Sequence, residues 1–213
     1  MRQRRALTLV EFVLGLVVIA MLLLLIIPIT LARREARRAG CRRNLSRLAK
    51  SLWAYPEHAS HRYYPCPFGR VPTANDFNGA EWLASVYWVG MVADPSIFIC
   101  PGTHDTNRDG LDIGTHRAPP SFGSQTISYA GMHYRSQTNS SGAFTAGAIR
   151  DDFPPNMPMG CDDTQGSINH GTSQRGGMNV VFFDNRVEWK SHEQVNLETG
   201  VGQKPGLLWQ LRN

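Results

Sequence analysis

Oxygen-bearing side chains alternate along the segment that begins at Asp105, and this spacing is typical of a loop that binds a hard cation. Gly110 would permit the sharp turn that a Ca²⁺ loop needs. The twelfth position of the loop holds His116 instead of a bidentate glutamate, so a solvated acidic turn is the alternative. No cofactor is certain, and Ca²⁺ is the one candidate. Its candidate ligands are Asp105, Asn107, Asp109 and Asp112.

The chain has four cysteines, Cys41, Cys66, Cys100 and Cys161. No two of them have the two-residue spacing of a zinc knuckle, so the sequence carries no zinc signature. An oxidising compartment would permit a disulfide among Cys66, Cys100 and Cys161. Cys41 falls on a predicted helix and is expected to stay reduced. The connectivity cannot be deduced from the sequence.

Signatures of catalysis are missing from the sequence. It contains no Gly-x-Ser-x-Gly elbow, no His-Glu-x-x-His zinc motif, no phosphate-binding loop and no dinucleotide fingerprint. The acid pairs Asp151-Asp152 and Asp162-Asp163 fall where loops are expected, and adjacent side chains on a loop point apart. Solvated turns are therefore favoured over a general acid and base. We predict no catalytic residues and a protein that is not an enzyme.

A single carboxylate, Glu11, precedes the uncharged segment Phe12–Ala32. A helix of this length, at about 1.5 Å per residue, spans a hydrocarbon core of about 30 Å. A carboxylate on the apolar side of the interface costs about 2 kcal/mol or more unless a cation pairs with it. Cleavage between Ala6 and Leu7 would supply that cation, because the new amino group of Leu7 on a neighbouring copy could lie opposite Glu11. The sequence therefore predicts a membrane span and an assembly role for Glu11.

The run Arg4–Phe12 resembles the processing signal of type IV prepilins and pseudopilins, with basic residues, a small residue and an apolar-Thr-Leu-Val-Glu stretch ahead of a long apolar helix. The resemblance implies that a prepilin peptidase removes residues 1–6 and that Leu7 becomes a methylated N-terminus. It also implies that the helices pack into a filament core, with a bend near Pro28. Ala6 stands where the family has glycine, and Leu7 where it has phenylalanine.

The same resemblance implies partners and a location. The partners are other pilin-like subunits, the prepilin peptidase and methylase, a secretion or pilus assembly platform, and membrane lipid. The protein would cross the bacterial inner membrane once, with its N-terminus in the cytoplasm and its head in the periplasm or at the cell surface. Charge counting opposes this orientation, because three arginines precede the span and seven lie between Arg33 and Arg47. The positive-inside tendency would keep the C-terminal part in the cytoplasm.

The formal net charge of +5 is concentrated in the helix that follows the span. This position favours contact with anionic headgroups or acidic neighbours. Nucleic-acid binding is not predicted, because no aromatic and basic binding motif accompanies the charge. The function implied is that of a structural subunit of a type IV pilus or a type II secretion pseudopilus-like assembly. The alternative is a membrane-anchored surface protein that does not assemble and whose head binds a ligand or hydrolyses a polymer.

Near the C-terminus, Asn169-His170-Gly171 precedes a predicted strand that ends in Asp184-Asn185. This pattern resembles the H-X9-DG motif of the C-terminal domain in one large pseudopilin-like group. Thirteen residues rather than nine separate His170 from Asp184, and Asn185 replaces the glycine. Asparagine accepts a positive φ, so the turn is expected to persist. His170 could be a loop histidine bonded to the backbone, or a ligand or catalyst.

The predicted fold class is α+β, with a long N-terminal helix packed on a small, loop-rich, mainly antiparallel β head, as in pilins. Leu45, Leu48 and Leu52 recur at helical spacing and form one apolar stripe, and Pro56 is expected to end the helix. The expected organisation is a leader at 1–6, a transmembrane helix at 7–32, an amphipathic continuation at 33–55 and a head domain at 56–213.

Short apolar runs separated by Gly, Pro, Ser and Asn predict strands and loops in the head. Residues 81–89 fit either a short helix or a buried strand, and residues 97–101 fit a strand stopped by proline. Residues 178–183 and 186–189 predict a hairpin joined by the two-residue turn Asp184-Asn185, since both residues accept positive φ.

Overall fold

A computed structural model of the chain describes residues 8–59, 62–65, 79–107, 113, 126–132, 149, 151, 153–162, 168–172, 174–197, 207–208 and 211–212. The fold is α+β, with two α-helices and a five-stranded antiparallel sheet among these residues. The chain divides into two compact units, one up to Ala36 and one from Arg37 onward. The first helix, α1, contributes to both units.

Helix α1 spans Leu9–Ala59. In its first part, from Leu9 to Leu31, the large apolar side chains that the structure describes are exposed, and the rest of the chain buries none of the most apolar window. This is the one described helix that is long and apolar enough to cross a membrane. The helix is continuous through Pro28.

The second part of α1 carries the predicted apolar stripe. Leu45, Leu48 and Leu52 are at most 1% exposed, whereas Arg47 and Lys50 are exposed, which confirms the amphipathic continuation. The stripe packs into the head core because residues three and four apart lie on one helix face.

The expected stop at Pro56 was wrong, because α1 continues to Ala59. Proline cannot donate a backbone hydrogen bond and its ring crowds the preceding turn, but in the last turn of a helix little remains to be disrupted. Pro56 is itself buried, so packing against the core holds this turn in place.

The sheet has the strand order β4-β3-β2-β1-β5, and every neighbouring pair is antiparallel. The residues of β1, β2 and β3 are buried on both faces, and those of β4 are half-buried. The central strands therefore form the interior of the head. The strands are β1 at Tyr129–Met132, β2 at Pro158–Asp162, β3 at Gly177–Phe182, β4 at Val187–Ser191 and β5 at Leu211–Arg212.

The second helix, α2, spans Gly79–Trp88, which confirms the helical alternative for this segment. It packs closely on β1 at Gly131. A Cβ atom on Gly131 would lie 2.5 Å from the carbonyl oxygen of Gly79 and 2.8 Å from Cγ of Leu83. The helix can approach the strand this closely only because Gly131 has no side chain.

The substitution Gly131→Ala is expected to lower the free energy of unfolding by about 1–3 kcal/mol, because the new methyl group meets backbone that cannot move aside easily. Gly160→Ala in β2 is the matched control. The nearest atom to its Cβ would be the Ala130 carbonyl oxygen at 3.2 Å, so its loss should be clearly smaller. Chemical denaturation of the full chain in detergent measures both. Equal losses of stability in the two variants would contradict this prediction, because they would show that α2 and β1 can move apart at little cost in free energy.

The predicted strand at residues 97–101 was wrong, because Pro95–Phe98 forms a 3-10 helix. The carboxylate of Asp94 accepts a hydrogen bond from the backbone N–H of Ser96 at 2.9 Å and caps the turn. Pro95 follows the cap at the first position of the turn. A backbone N–H at this position has no partner within the helix, so proline loses no hydrogen bond there. Ile97 and Phe98 are buried, which explains why this apolar run resembled a strand.

The predicted hairpin of β3 and β4 is confirmed, but its two-residue turn was wrong. The N–H of Asn185 donates to the carbonyl of Phe182 at 2.9 Å, and the N–H of Phe182 donates to the carbonyl of Arg186 at 3.0 Å. These bonds enclose a three-residue loop whose last residue, Asn185, has a φ of 65°. The hairpin thus needs one left-handed residue, and it matches the three-residue type in which that residue comes last.

Because Asn185 is left-handed, Asn185→Ala should lower the free energy of unfolding by about 1 kcal/mol, whereas Asn185→Gly should leave it unchanged or raise it. Alanine pays the steric cost of positive φ and glycine does not. Chemical denaturation of the full chain in detergent compares the two variants. A similar loss in both would mean that the asparagine side chain, and not the backbone conformation, stabilises the turn.

Candidate functional site

Four side chains able to bind a metal or to undergo redox chemistry meet inside the second unit. They are Cys41 on α1, Cys100 after the 3-10 helix, Asp162 at the end of β2 and His170 in the loop before β3. Their ligand atoms all lie within 4.8 Å of one another. Among the described residues, no other group of three or more His, Cys, Asp or Glu side chains could hold a metal ion.

Cys41 and Cys100 form a disulfide. The expectation that Cys41 stays reduced was therefore wrong, and Cys100 is bonded to a cysteine outside the set Cys66, Cys100 and Cys161, among which a disulfide was considered. Cys41 lies four residues before Leu45 on the buried face of α1, which brings its sulfur against Cys100. Cys161 is a buried thiol in β2, and Cys66 lies outside the described residues.

Asp162 is only 1% exposed, so the expectation of a solvated turn was wrong. It pairs with Tyr129 in the ladder between β1 and β2, which places its side chain inside the head. Its Oδ2 atom accepts hydrogen bonds from the backbone N–H of Asn179 at 2.7 Å and from Nδ2 of Asn179 at 2.8 Å. Two donors thus hold this carboxylate in one orientation.

His170 faces that carboxylate. Its Nε2 atom lies 3.4 Å from Oδ2 of Asp162 and 3.6 Å from Sγ of Cys100, and its side chain is 9% exposed. Asn169 anchors the loop because its Nδ2 donates to the carbonyl of Ser128 at 2.7 Å. His170 is therefore not simply a loop histidine bonded to the backbone, since its ring contacts the cluster.

Glycines give the imidazole its space. A Cβ atom on Gly102 would lie 3.2 Å from Cε1 of His170 and 2.9 Å from the carbonyl oxygen of Asn169. Gly171 has a φ of +92°, a conformation that favours glycine. The loop can thus turn sharply at the point where the ring enters the cluster.

The motif aspartate, Asp184, has a different role in the structure. Its Oδ1 accepts a hydrogen bond from the backbone N–H of Arg186 at 3.0 Å, and its Oδ2 lies 3.6 Å from Nε of the same residue. Asp184 thus stabilises the hairpin loop, while the carboxylate 3.4 Å from His170 belongs to Asp162. Sequence reasoning missed Asp162 because no local signal distinguishes it from an exposed turn residue.

An aromatic side chain connects the cluster with α1. The ring of Trp189 in β4 lies 5.8 Å from that of His170, and the guanidinium of Arg38 stacks over Trp189 at 3.7 Å. A cation over an indole face is a favourable contact. The carbonyl of Arg38 also accepts a hydrogen bond from Nδ2 of Asn179 at 3.5 Å. These contacts join α1, β3 and β4 around the cluster.

The surroundings of the cluster exclude water. Burial raises the pKa of Tyr129 well above its usual range, the neighbouring Asp162 charge raises it further, and a hydrogen bond with Asn44 opposes both effects. The Tyr129 phenol therefore stays protonated at physiological pH. Two cysteines, a histidine and an aspartate in a buried cluster can support two kinds of chemistry. These are thiol and disulfide exchange and metal binding.

Two of the four candidate calcium ligands, Asp105 and Asn107, lie within the described residues. Oδ2 of Asp105 accepts a hydrogen bond from Oγ of Ser128 at 2.6 Å, and Nδ2 of Asn107 donates to the carbonyl of Pro95 at 2.6 Å. Both side chains thus have partners within the protein. Asp109 and Asp112 lie outside the described residues, and Ca²⁺ binding stays a prediction.

The start of α1 has a local explanation for Glu11. Its Oε2 atom accepts hydrogen bonds from the backbone N–H and the hydroxyl of Thr8, both at 2.9 Å, and Oγ1 of Thr8 accepts from the N–H of Glu11 at 3.3 Å. This reciprocal arrangement is a capping box, and the Thr-x-x-Glu spacing is its sequence signal, which was overlooked. The processing residues Ala6 and Leu7 lie outside the described residues.

Two features of the chain are therefore candidates for function. One is the buried cluster of the disulfide, Asp162 and His170, and the other is the exposed apolar part of α1 with Glu11 at its start. No protein-family model, no curated protein and no solved structure matches the chain. Function is accordingly inferred from the chemistry of the chain's own residues.

Proposed function

We propose that the chain is a membrane-anchored structural subunit of a pilin-like or pseudopilin-like assembly, held together by packing of N-terminal helices. One observation carries the proposal. In a single helix, α1, the first part exposes apolar side chains while the second part supplies core residues to the head. A helix of this kind can anchor a subunit and contact its neighbours with the same residues.

The apolar surface of α1 requires a covering that the chain does not supply. From Leu9 to Leu31 the large apolar side chains that the structure describes are between 48% and 80% exposed. Exposure of such surface to water costs about 25 cal/mol per Å². Lipid covers it when the subunit is alone in the membrane, and the helices of other subunits cover it in an assembly.

Glu11 is compatible with an assembly role as well as with its cap. The two hydrogen bonds that the Glu11 carboxylate accepts from Thr8 both end at Oε2, and Oε1 has no hydrogen bond with any described residue. The carboxylate can therefore cap its own helix and still face an amino group on a neighbouring copy. In this proposal the amino group is that of Leu7 after cleavage by a prepilin peptidase.

The disulfide supports a head outside the cytoplasm. A disulfide between Cys41 and Cys100 persists in oxidising compartments such as the periplasm and the cell surface. A head in such a compartment implies an inner-membrane protein with a cytoplasmic N-terminus, opposite to the orientation that the arginine count suggests. A secretion or pilus assembly platform would then be a partner on the membrane.

The competing proposal is a membrane-anchored surface protein that does not assemble. The capping box favours it, because Thr8 and Glu11 satisfy each other within one chain and no neighbour is needed to explain the carboxylate. Its head would bind a ligand or hydrolyse a polymer.

Mass spectrometry of the native protein, extracted from membranes with mild detergent, separates the two proposals. We expect a methylated Leu7 at the N-terminus and, after chemical crosslinking in the membrane, a ladder of oligomers. A monomeric protein that still carries residues 1–6 would contradict assembly and support the anchored surface protein. Cleavage with no crosslinked oligomers would also contradict the structural role.

A further inference from the structure

We propose that Cys41, Cys100, Asp162 and His170 form a redox-gated zinc site, which holds a disulfide when oxidised and binds one Zn²⁺ ion when the two cysteines are reduced. This inference does not depend on assembly. It concerns only the second unit, in which all four residues lie.

Two distances between the ligand atoms match those of a tetrahedral zinc ion. With zinc bonds of about 2.3 Å to sulfur and about 2.0–2.1 Å to nitrogen or oxygen, a tetrahedral site separates its sulfur and nitrogen ligands by about 3.6 Å and its nitrogen and oxygen ligands by about 3.4 Å. The structure has Nε2 of His170 at 3.6 Å from Sγ of Cys100 and at 3.4 Å from Oδ2 of Asp162. The two sulfur atoms of the disulfide would have to move apart, to about 3.8 Å in a tetrahedral site.

The neighbouring hydrogen bonds suit charged ligands. The backbone N–H of Gly102 donates to Sγ of Cys100 at 3.3 Å, a bond that would stabilise a thiolate. Asn179 donates twice to Oδ2 of Asp162 and so orients the carboxylate, as outer partners of metal ligands do. These donors are in place before any metal binds.

Burial makes this a closed site of the structural kind. Both cysteines are fully buried, Asp162 is 1% exposed and the side chain of His170 is 9% exposed. Four protein ligands complete the tetrahedron and leave no position for a catalytic water. Zinc would therefore fasten α1 to the head in reducing conditions, as the disulfide does in oxidising conditions.

A dithiol reductant gives two electrons and two protons to the bond between Cys41 and Cys100 and itself becomes a disulfide. The S–S bond breaks and each sulfur becomes a thiol. Zn²⁺ then binds both sulfurs as thiolates, and two protons are released to solvent.

Cobalt titration of the full chain in detergent tests the proposal, because tetrahedral Co²⁺ with thiolate ligands absorbs in the visible and near ultraviolet. A phosphine reduces the disulfide to two thiols and becomes a phosphine oxide, with the oxygen and the two protons taken from water. After this reduction we expect one Co²⁺ per chain with these bands and their loss when Zn²⁺ is added. The oxidised protein should show none. A reduced protein that keeps its circular dichroism but shows no such bands would overturn the proposal.

Variants locate the ion. His170→Gln keeps the disulfide, so the variant can fold in the oxidised form before reduction, and we expect its affinity for Co²⁺ to fall at least about 10-fold. Cys100→Ser leaves Cys41 as the one thiolate of the cluster, so we expect much weaker thiolate bands and weaker binding of Co²⁺. Cys161→Ser is the matched control, since it removes a buried thiol next to Asp162 in sequence but outside the cluster, and it should bind like the wild type. Unchanged binding by His170→Gln, or lost binding in Cys161→Ser, would overturn the assignment.

Discussion

Replacement of Glu11 by glutamine is expected to abolish assembly while membrane insertion and the start of α1 stay intact. The amide oxygen of glutamine can accept the same hydrogen bonds from Thr8, because capping boxes use glutamate or glutamine. Glutamine cannot neutralise an ammonium group on a neighbouring copy. The substitution thus removes the charge and keeps the cap.

The expected effect on assembly is large. An unpaired charge among apolar helices costs about 2 kcal/mol or more, which corresponds to at least about a 30-fold weaker contact between subunits. Because each subunit of a filament makes this contact, losses at successive contacts add up. Crosslinking in membranes, together with electron microscopy of sheared filaments, measures the outcome against wild type at equal expression.

Thr8→Ala is the matched control for the cap. It removes the hydroxyl that bonds to Glu11 but keeps the carboxylate, so helix formation should weaken by about 1 kcal/mol while assembly persists. Glu11→Ala and Glu11→Val remove both functions and should also fail to assemble. Normal assembly of Glu11→Gln, combined with failure of Thr8→Ala, would show that Glu11 acts only as a cap.

The elements predicted correctly from sequence are those fixed by nearby residues. The apolar segment of α1 and the stripe of Leu45, Leu48 and Leu52 follow from spacing along one helix, and burial confirms the stripe. The left-handed residue at the hairpin was also found, since asparagine accepts a positive φ that most residues avoid.

Some local signals were present but not used. The Thr8-x-x-Glu11 spacing predicts a capping box, and Asp94 followed by Pro95 predicts a capped helical turn. The first signal gives Glu11 a role within its own helix, and the second favours a helical turn over a strand for the apolar run after Pro95. In both cases a short polar residue decides the backbone conformation, although the apolar residues around it fit more than one structure.

The buried cluster could not be predicted in the same way. Its four members are spread between Cys41 and His170, and they meet because α1 and the sheet pack on one another. Asp162 is buried only because β2 pairs with β1 and β3, and strand pairing is not encoded by the spacing of residues within β2. The His170 motif directed attention to Asp184, which is close to the turn signal but belongs to the hairpin loop.

Asp162→Ala is expected to lower the free energy of unfolding of the oxidised protein by about 3–5 kcal/mol, since removal of one member of a buried polar pair leaves its partners without compensation. The stranded groups are the backbone N–H and the side-chain amide of Asn179 and the imidazole of His170. Chemical denaturation of the full chain in detergent, followed by tryptophan fluorescence, measures the loss, and a thiol assay verifies that the disulfide is present.

Asp184→Ala is the matched control, since it deletes the carboxylate of the motif instead. The side chain of Asp184 is 35% exposed and its ion pair with Arg186 is partly solvated, so the loss should be at most about 1 kcal/mol. A larger loss for Asp184→Ala than for Asp162→Ala would mean that the hairpin loop, and not the buried carboxylate, holds His170 in place. The carboxylate of Asp162 would then not be fixed firmly enough to orient His170. In that case Asp162 would no longer be a credible oxygen ligand of the proposed zinc site.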